Sequence, residues 1–182
     1  MKKKVAILAT NGFEEVELTS PKKALEDAGA EVHIVSPEAV SIKAWDKDKW
    51  GDTYKVDKQV SEVSASDYNS LMLPGGVMNP DQLRMNNDAI SFIRDFFKQG
   101  KPVSAICHGI QPLIDAEVLK GRKLTSYPSL KKDVMNAGGN WVDEEVVVDQ
   151  GFTTSRTPDD LDAFNAKLVE EVKEGKHDEQ HA

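Results

Sequence analysis

The chain has one cysteine, Cys107, and it is followed directly by His108 and Gly109 in the stretch AICHGIQPLI (105–114). A thiol attacks carbon only as its thiolate, so such a residue needs a base beside it or a field that holds the charge. His108 is the base nearest in sequence. Gly109 allows the sharp turn by which a nucleophile elbow pushes its reactive side chain out of a strand. A helix starting near residue 109, with Pro112 tolerated in its first turn, would set Cys107 at a positive helix end and favour the thiolate. The plain alternative is a small buried hydrophobe closing a strand, a role that His108 and Gly109 both suit poorly.

Two other stretches carry chemistry. FEEVE (13–17) brings three carboxylates together. One of them, turned inward beside Cys107, would be kept protonated by desolvation and could donate a hydrogen bond to the sulfur. An acidic solvated surface is the ordinary alternative. LPGG (73–76) offers backbone N–H groups without side chains in the way, and with the His108 N–H it could form an oxyanion hole. Alone, it is also an ordinary strand-ending turn.

Other chemistries find little support. The four histidines show no metal-ligand spacing, so no metal is expected: His33 sits in a strand pattern and reads as structural, while His177 and His181 lie in a polar tail. That leaves His108 as the base, and removes the distant histidine used by class I glutamine amidotransferases. DKDKWGD (46–52) looks faintly like a calcium loop, but its twelfth position is Asp57 rather than glutamate, and it reads as a solvated turn. No G-x-G-x-x-G is present and carboxylates make a poor phosphate site, so no dinucleotide cofactor is expected. With 23 basic and 31 acidic residues and a net charge of −8, no nucleic-acid partner is expected either.

The elements that must position these groups alternate. Strands are expected over 4–10, 30–37, 68–73, 102–107 and 123–127, and helices over 19–29, 87–100, 110–121 and 157–175. Thr157 is the expected N-cap of the last helix, with Pro158 at its first position and Asp160 in its first turn. The charged, aromatic segment 41–60 reads as a hairpin or projecting loop, and 140–156 as a second hairpin. Alternation of strand and helix with continuously apolar strands predicts an α/β fold, a mainly parallel sheet covered by helices on both faces. In such a sheet ligands bind outside the carboxyl ends of the strands, where NGFEEVE, PGG and CHG all fall. The 182 residues suit one domain over 1–175, with 176–182 a frayed tail. The apolar run VAILA is too short for a secretory leader or a membrane span, so a first strand is expected. A lone thiol suits a reducing cytoplasm, with no membrane partner.

Taken together, AICHGIQPLI, LPGG, FEEVELTSP, GRKLTSYPSLKKDVMNAG, VDEEVVVD and TSRTPDDLDAFN resemble the PfpI/ThiJ family of intracellular cysteine protease/amidase-like proteins. The resemblance runs over roughly residues 4–172, and the insertion KAWDKDKWGDTYKVD is similar to a bacterial general stress protein branch. It implies a flavodoxin-like three-layer sandwich, assembled as a dimer or a ring of dimers. By the same resemblance Cys107 is the nucleophile, His108 its partner, and Glu17 the acid that hydrogen-bonds the sulfur. Gly76 and the His108 backbone then form the oxyanion hole, and Asp81 orients the histidine across a subunit interface. Two positions depart from the family pattern: Ile110 stands where proline usually follows CHG, with Pro112 displaced, and position 81 is aspartate where some members have glutamate. The implied function is stress protection through attack of Cys107 on reactive carbonyls such as methylglyoxal or on their protein adducts, as in a glyoxalase III or deglycase. Hydrolysis of peptides or amides by Cys107, His108 and Asp81 is the near alternative. A non-enzymatic redox sensor or chaperone with an oxidisable Cys107 is the distant one.

Overall fold

The computed structural model describes residues 2–180. The chain opens with β1 (Lys4–Leu8), α1 (Glu15–Asp27) and β2 (Glu31–Ser36), then β3 (Ser41–Asp46), β4 (Lys49–Lys55) and the short β5 (Lys58–Gln59). The middle is β6 (Ser70–Leu73), α2 (Met78–Leu83), α3 (Asn87–Lys98), β7 (Val103–Ile106) and α4 (Gln111–Asp115). It closes with β8 (Lys123–Leu124), α5 (Lys131–Asn136), β9 (Asn140–Trp141), β10 (Val147–Asp149), β11 (Phe152–Ser155) and α6 (Leu161–Glu174).

Seven strands form the central sheet in the order β10-β11-β7-β6-β1-β2-β5. Every neighbouring pair is parallel except β10 with β11. Alternation of side chains along β1 explains the layering. Ala6 and Leu8 join one apolar cluster with Phe92, Phe96 and Phe97 of α3, whereas Val5 and Ile7 join another with Leu18 of α1 and Phe164 of α6. The result is the expected flavodoxin-like three-layer sandwich, built of strands buried on both faces.

Both hairpins form. β3 and β4 pair antiparallel outside the main sheet, with Trp45 opposite Trp50 and the two rings edge to face at 5.5 Å. β10 and β11 turn through Gln150 and Gly151, both at positive φ, the conformation that suits tight hairpins. Asn140 and Trp141 stay out of that hairpin and pair with β8 instead.

Five boundaries differ from the sequence expectation, the first being the strand expected over 123–127, which is only Lys123–Leu124 and pairs with β9 outside the central sheet. The first helix starts at Glu15 and runs through Pro21, which places Glu17 in its first turn. The helix expected over 110–121 is a single tight turn, Cys107–Ile110, followed by the five residues of α4; Glu117, at φ 59°, has left the helical conformation. Thr157 precedes one tight turn, Pro158–Asp160, and makes no side-chain cap; Asp160 instead bonds back to Arg156. Finally, the tail expected to be frayed makes contacts with the body of the protein through residue 180. His177 donates its N–H to the Gly100 carbonyl and the buried Gln180 side chain donates to that of Lys101, tying the tail to the sheet; His181 lies outside the described residues.

Candidate active site

Strand β7 delivers Cys107 at its carboxyl end, in the left-handed backbone conformation with φ 61°. Ile106 is still extended, so the chain reverses direction at the cysteine itself, as an elbow requires. The turn fits only because its neighbours lack side chains. A Cβ on Gly75 would stand 2.8 Å from the Cys107 Cβ, and one on Gly109 would stand 2.6 Å from the Leu73 carbonyl oxygen. Ile110, at the position where the resemblance leads one to expect proline, is fully buried in the core and does not disturb this turn.

The LPGG turn lies against the elbow and is pinned by a residue that sequence reading missed. Asn79 is fully buried, donates to the Pro74 and Gly75 carbonyls, and accepts the Thr10 N–H at 2.7 Å. It thereby ties the ends of β1 and β6 together. Gly76, at φ 76°, packs so tightly on the Gly12–Glu14 backbone that a Cβ would approach the Gly12 oxygen to 2.5 Å. Its N–H and that of His108 both face the Cys107 sulfur.

The three acids of FEEVE separate. Glu15 turns to the hairpin, accepting from the Tyr54 hydroxyl and the Asp52 N–H. Glu14 accepts the Lys47 N–H and borders the cavity above the cysteine, where burial raises its pKa. Glu17 turns inward and is completely buried, and neither carboxyl oxygen has a well-aligned hydrogen bond. Burial, with the Glu14 carboxylate adding to it, pushes the Glu17 pKa from 4.5 up to about 8 against the smaller pull of Cys107 and the Gly76 N–H.

Cys107 corrects one expectation. A five-residue helix does not set the thiol's electrostatics. Burial, followed by the Glu17 carboxylate, raises the thiol well above its ordinary pKa, and the N–H groups of His108 and Gly76 offset only part of that. Two buried acids facing each other cannot both ionise, so Glu17 and Cys107 titrate as a pair with room for one charge.

His108 Nδ1 lies 3.3 Å from the Cys107 sulfur, and burial lowers the imidazole's pKa, so at neutral pH it is uncharged. Its ring stacks on Tyr127 at 4.6 Å and its Nε2 lies 3.5 Å from the Ser129 hydroxyl. Tyr127 also donates its N–H to the Cys107 carbonyl, fixing the elbow from the other side. Sequence reading gave neither residue a role. Their place, Tyr127 at the end of the expected 123–127 strand and Ser129 two residues on, was the available signal. Asp81, by contrast, is exposed on α2, outside the cavity, and no hydrogen bond joins it to His108.

A cavity of about 440 Å³ opens over the sulfur, bounded by Glu14, Trp45, Lys47, Tyr127 and Pro158 besides the residues already named. The β3–β4 hairpin therefore forms part of the cavity wall. His33 is remote from it, held between the Tyr68 hydroxyl and Glu31 at 3.0 Å each, in keeping with a structural role. Among the described residues no helix is long and apolar enough to cross a membrane.

The DJ-1/PfpI family model matches residues 3–171. YraA of Bacillus subtilis, provisionally named a cysteine protease, is 47% identical over 95% of this chain and 100% of its own length. Protein/nucleic acid deglycase 2 of Escherichia coli is 47% identical over 93% of this chain and 97% of its own. Among solved structures, a two-domain Anabaena variabilis protein with DJ-1/ThiJ/PfpI-like and ferritin-like domains superposes with a TM-score of 0.89 at 36% identity. The match covers 94% of this chain and 48% of that one.

Proposed function

The chain belongs to the DJ-1/PfpI family, and from that premise we propose that it is a cysteine-dependent enzyme acting on reactive carbonyls or their protein adducts. The observation that carries this reading is the pair at the floor of the cavity. Cys107 is turned out of its strand against a fully buried Glu17, and among the described residues no cation acts to hold that carboxyl ionised. Glu17 holds its proton at neutral pH, so once Cys107 gives its own proton to His108, 3.3 Å away, the charge on sulfur has a hydrogen-bond donor beside it. A relative named as a deglycase, nearly half identical over almost its whole length, supports the same direction.

The chemistry for methylglyoxal runs as follows. The Cys107 sulfur bonds to the aldehyde carbon, and the former carbonyl oxygen takes a proton to give a hemithioacetal. A proton then moves from that carbon to the adjacent ketone carbon by way of an enediol, with neutral His108 or Glu17 carrying it, leaving a lactyl thioester. Water cleaves the carbon–sulfur bond, releasing lactate and the thiol. The N–H groups of Gly76 and His108 are the donors for the oxygen on the attacked carbon. The same first attack on an adduct between an amine and a dicarbonyl would release the amine as well. The substrate is thus a small carbonyl or a glycated protein, no cofactor takes part, and a reducing cytoplasm suits the free thiol.

Peptide hydrolysis would need, besides the same thiol, an open groove on both sides of the scissile bond. Assaying a dicarbonyl beside a fluorogenic peptide tests it. Lactate release faster than peptide cleavage is the expected result, and peptide cleavage without lactate would transfer the site to the hydrolase reading.

A further inference from the structure

At the opposite end of β7 from the cysteine, α6 runs out into the docked tail and three metal-ligating side chains meet. Glu171 and Glu174, one helical turn apart, face His177, and their ligand atoms all lie within 4.8 Å of one another. Glu174 is exposed, while Glu171 is buried with only 5% of its surface accessible. His177 Nε2 stands 2.8 Å from Glu171 Oε2. At that distance an ion pair would be the simple reading, yet neither atom has a hydrogen bond of proper alignment, although both are shut off from solvent. Two such atoms, with no further partner for either, are near enough to converge on a third centre.

A second buried group borders the same spot. Gln180 is 4% exposed, its amide N–H donates to the Lys101 carbonyl, and its oxygen has no partner. That oxygen and the His177 ring both press on Gly151, whose absent Cβ would lie 2.5 Å from the one and 2.6 Å from the other. Nearby Lys167 is engaged with Glu170 at 2.7 Å.

We propose that Glu171, Glu174 and His177 bind a divalent transition-metal ion that fastens the carboxyl-terminal tail to α6. One imidazole with carboxylates suits zinc and its neighbours, whereas magnesium and calcium favour oxygen-only sites. The ion binds the folded chain alone, since His177 reaches the helix only while its backbone N–H holds Gly100. The tail becomes a clasp across the amino ends of β7 and β11, remote from the reactive thiol. Its sequence signal was hidden because the histidine lies past the end of the helix that carries the two glutamates.

The test is zinc titration, by calorimetry, of chelator-stripped full-length protein carrying Cys107→Ser, so that the active-site thiol cannot supply a ligand. The expected result is one equivalent of zinc bound and a raised melting temperature, with no such shift from magnesium. Glu174→Gln and His177→Gln in the same background should each weaken zinc by about tenfold or more, equivalent to about 1.4 kcal/mol. Glu174 is exposed, so its variant decides the matter should the His177 variant fold poorly. Absence of zinc binding to Cys107→Ser, or unchanged binding after Glu174→Gln, would overturn the proposal.

Discussion

Replacing Glu17 by glutamine preserves the shape of the side chain and removes its ionisation. The sign of the effect on stability follows from the raised pKa. The folded state holds the proton up to about pH 8, whereas the unfolded chain releases it near 4.5. Stability from this group is therefore fully present below about 4.5 and is lost as the pH rises to 8. Thermal melts of wild type and Glu17→Gln across that window should diverge, the wild type losing ground as pH rises, with the difference flat above it. A constant difference would mean that Glu17 does not hold a proton in the fold. His108 gives a second test at this scale. Burial holds its pKa below the ordinary value of 6.5, so the acid limb of the rate profile should fall below that pH; His108→Gln should remove the limb along with most of the activity. Cys107 and His108 were legible as chemistry because adjacency and the following glycine are visible in the sequence. Which acid of FEEVE turns inward was settled only by the family pattern, since Glu14, Glu15 and Glu17 differ by their angle around the start of α1, and composition is silent about angle.

At the scale of elements, the site is a meeting of turns after β1, β6 and β7, and its precision depends on parts with no reactive group. Asn79→Ala would orphan two carbonyls and one N–H in the interior. It should cost on the order of 3 kcal/mol in denaturant unfolding and lower kcat as the LPGG turn loosens. Gly75→Ala would drive a methyl into the Cys107 Cβ and the Ile106 carbonyl; a loss of about 1–3 kcal/mol is expected, together with a larger loss of activity. If either variant left both stability and rate unchanged, these turns would not be what sets the elbow. The elements themselves were mostly readable, since β1, β2, β6, β7 and α3 are long apolar runs or strongly amphipathic stretches. The misjudged boundaries have local causes. Pro21 made an early start of α1 look unfavourable, the left-handed Glu117 cut short the helix after the elbow, and tertiary hydrogen bonds to Gly100 and Lys101 hold a tail whose composition reads as solvated.

For the whole molecule, the role that the family resemblance implies for Asp81 would require a second copy of the chain. Asp81 is exposed on α2, with Val77 and Met85 exposed to 64% and 84% in the same region, apolar groups that a monomer would leave in water. A dimer or larger assembly in solution is the expected outcome of sedimentation. Met85→Glu should shift it toward monomer, and Asp81→Asn should lower kcat while leaving the melting temperature of the protomer unchanged. A monomeric, fully active wild type would remove Asp81 from the site. This level was the least legible in the sequence, because an interface depends on which surface groups coincide after folding, and one chain's periodicity carries no information about its neighbour.

The most direct measurement is lactate formation from methylglyoxal by purified wild type beside Cys107→Ser, with a metal chelator present throughout. A thiolate mechanism requires lactate from the wild type and none above background from the variant. Equal lactate from both proteins would contradict it, because no other group in the cavity can form the hemithioacetal through sulfur.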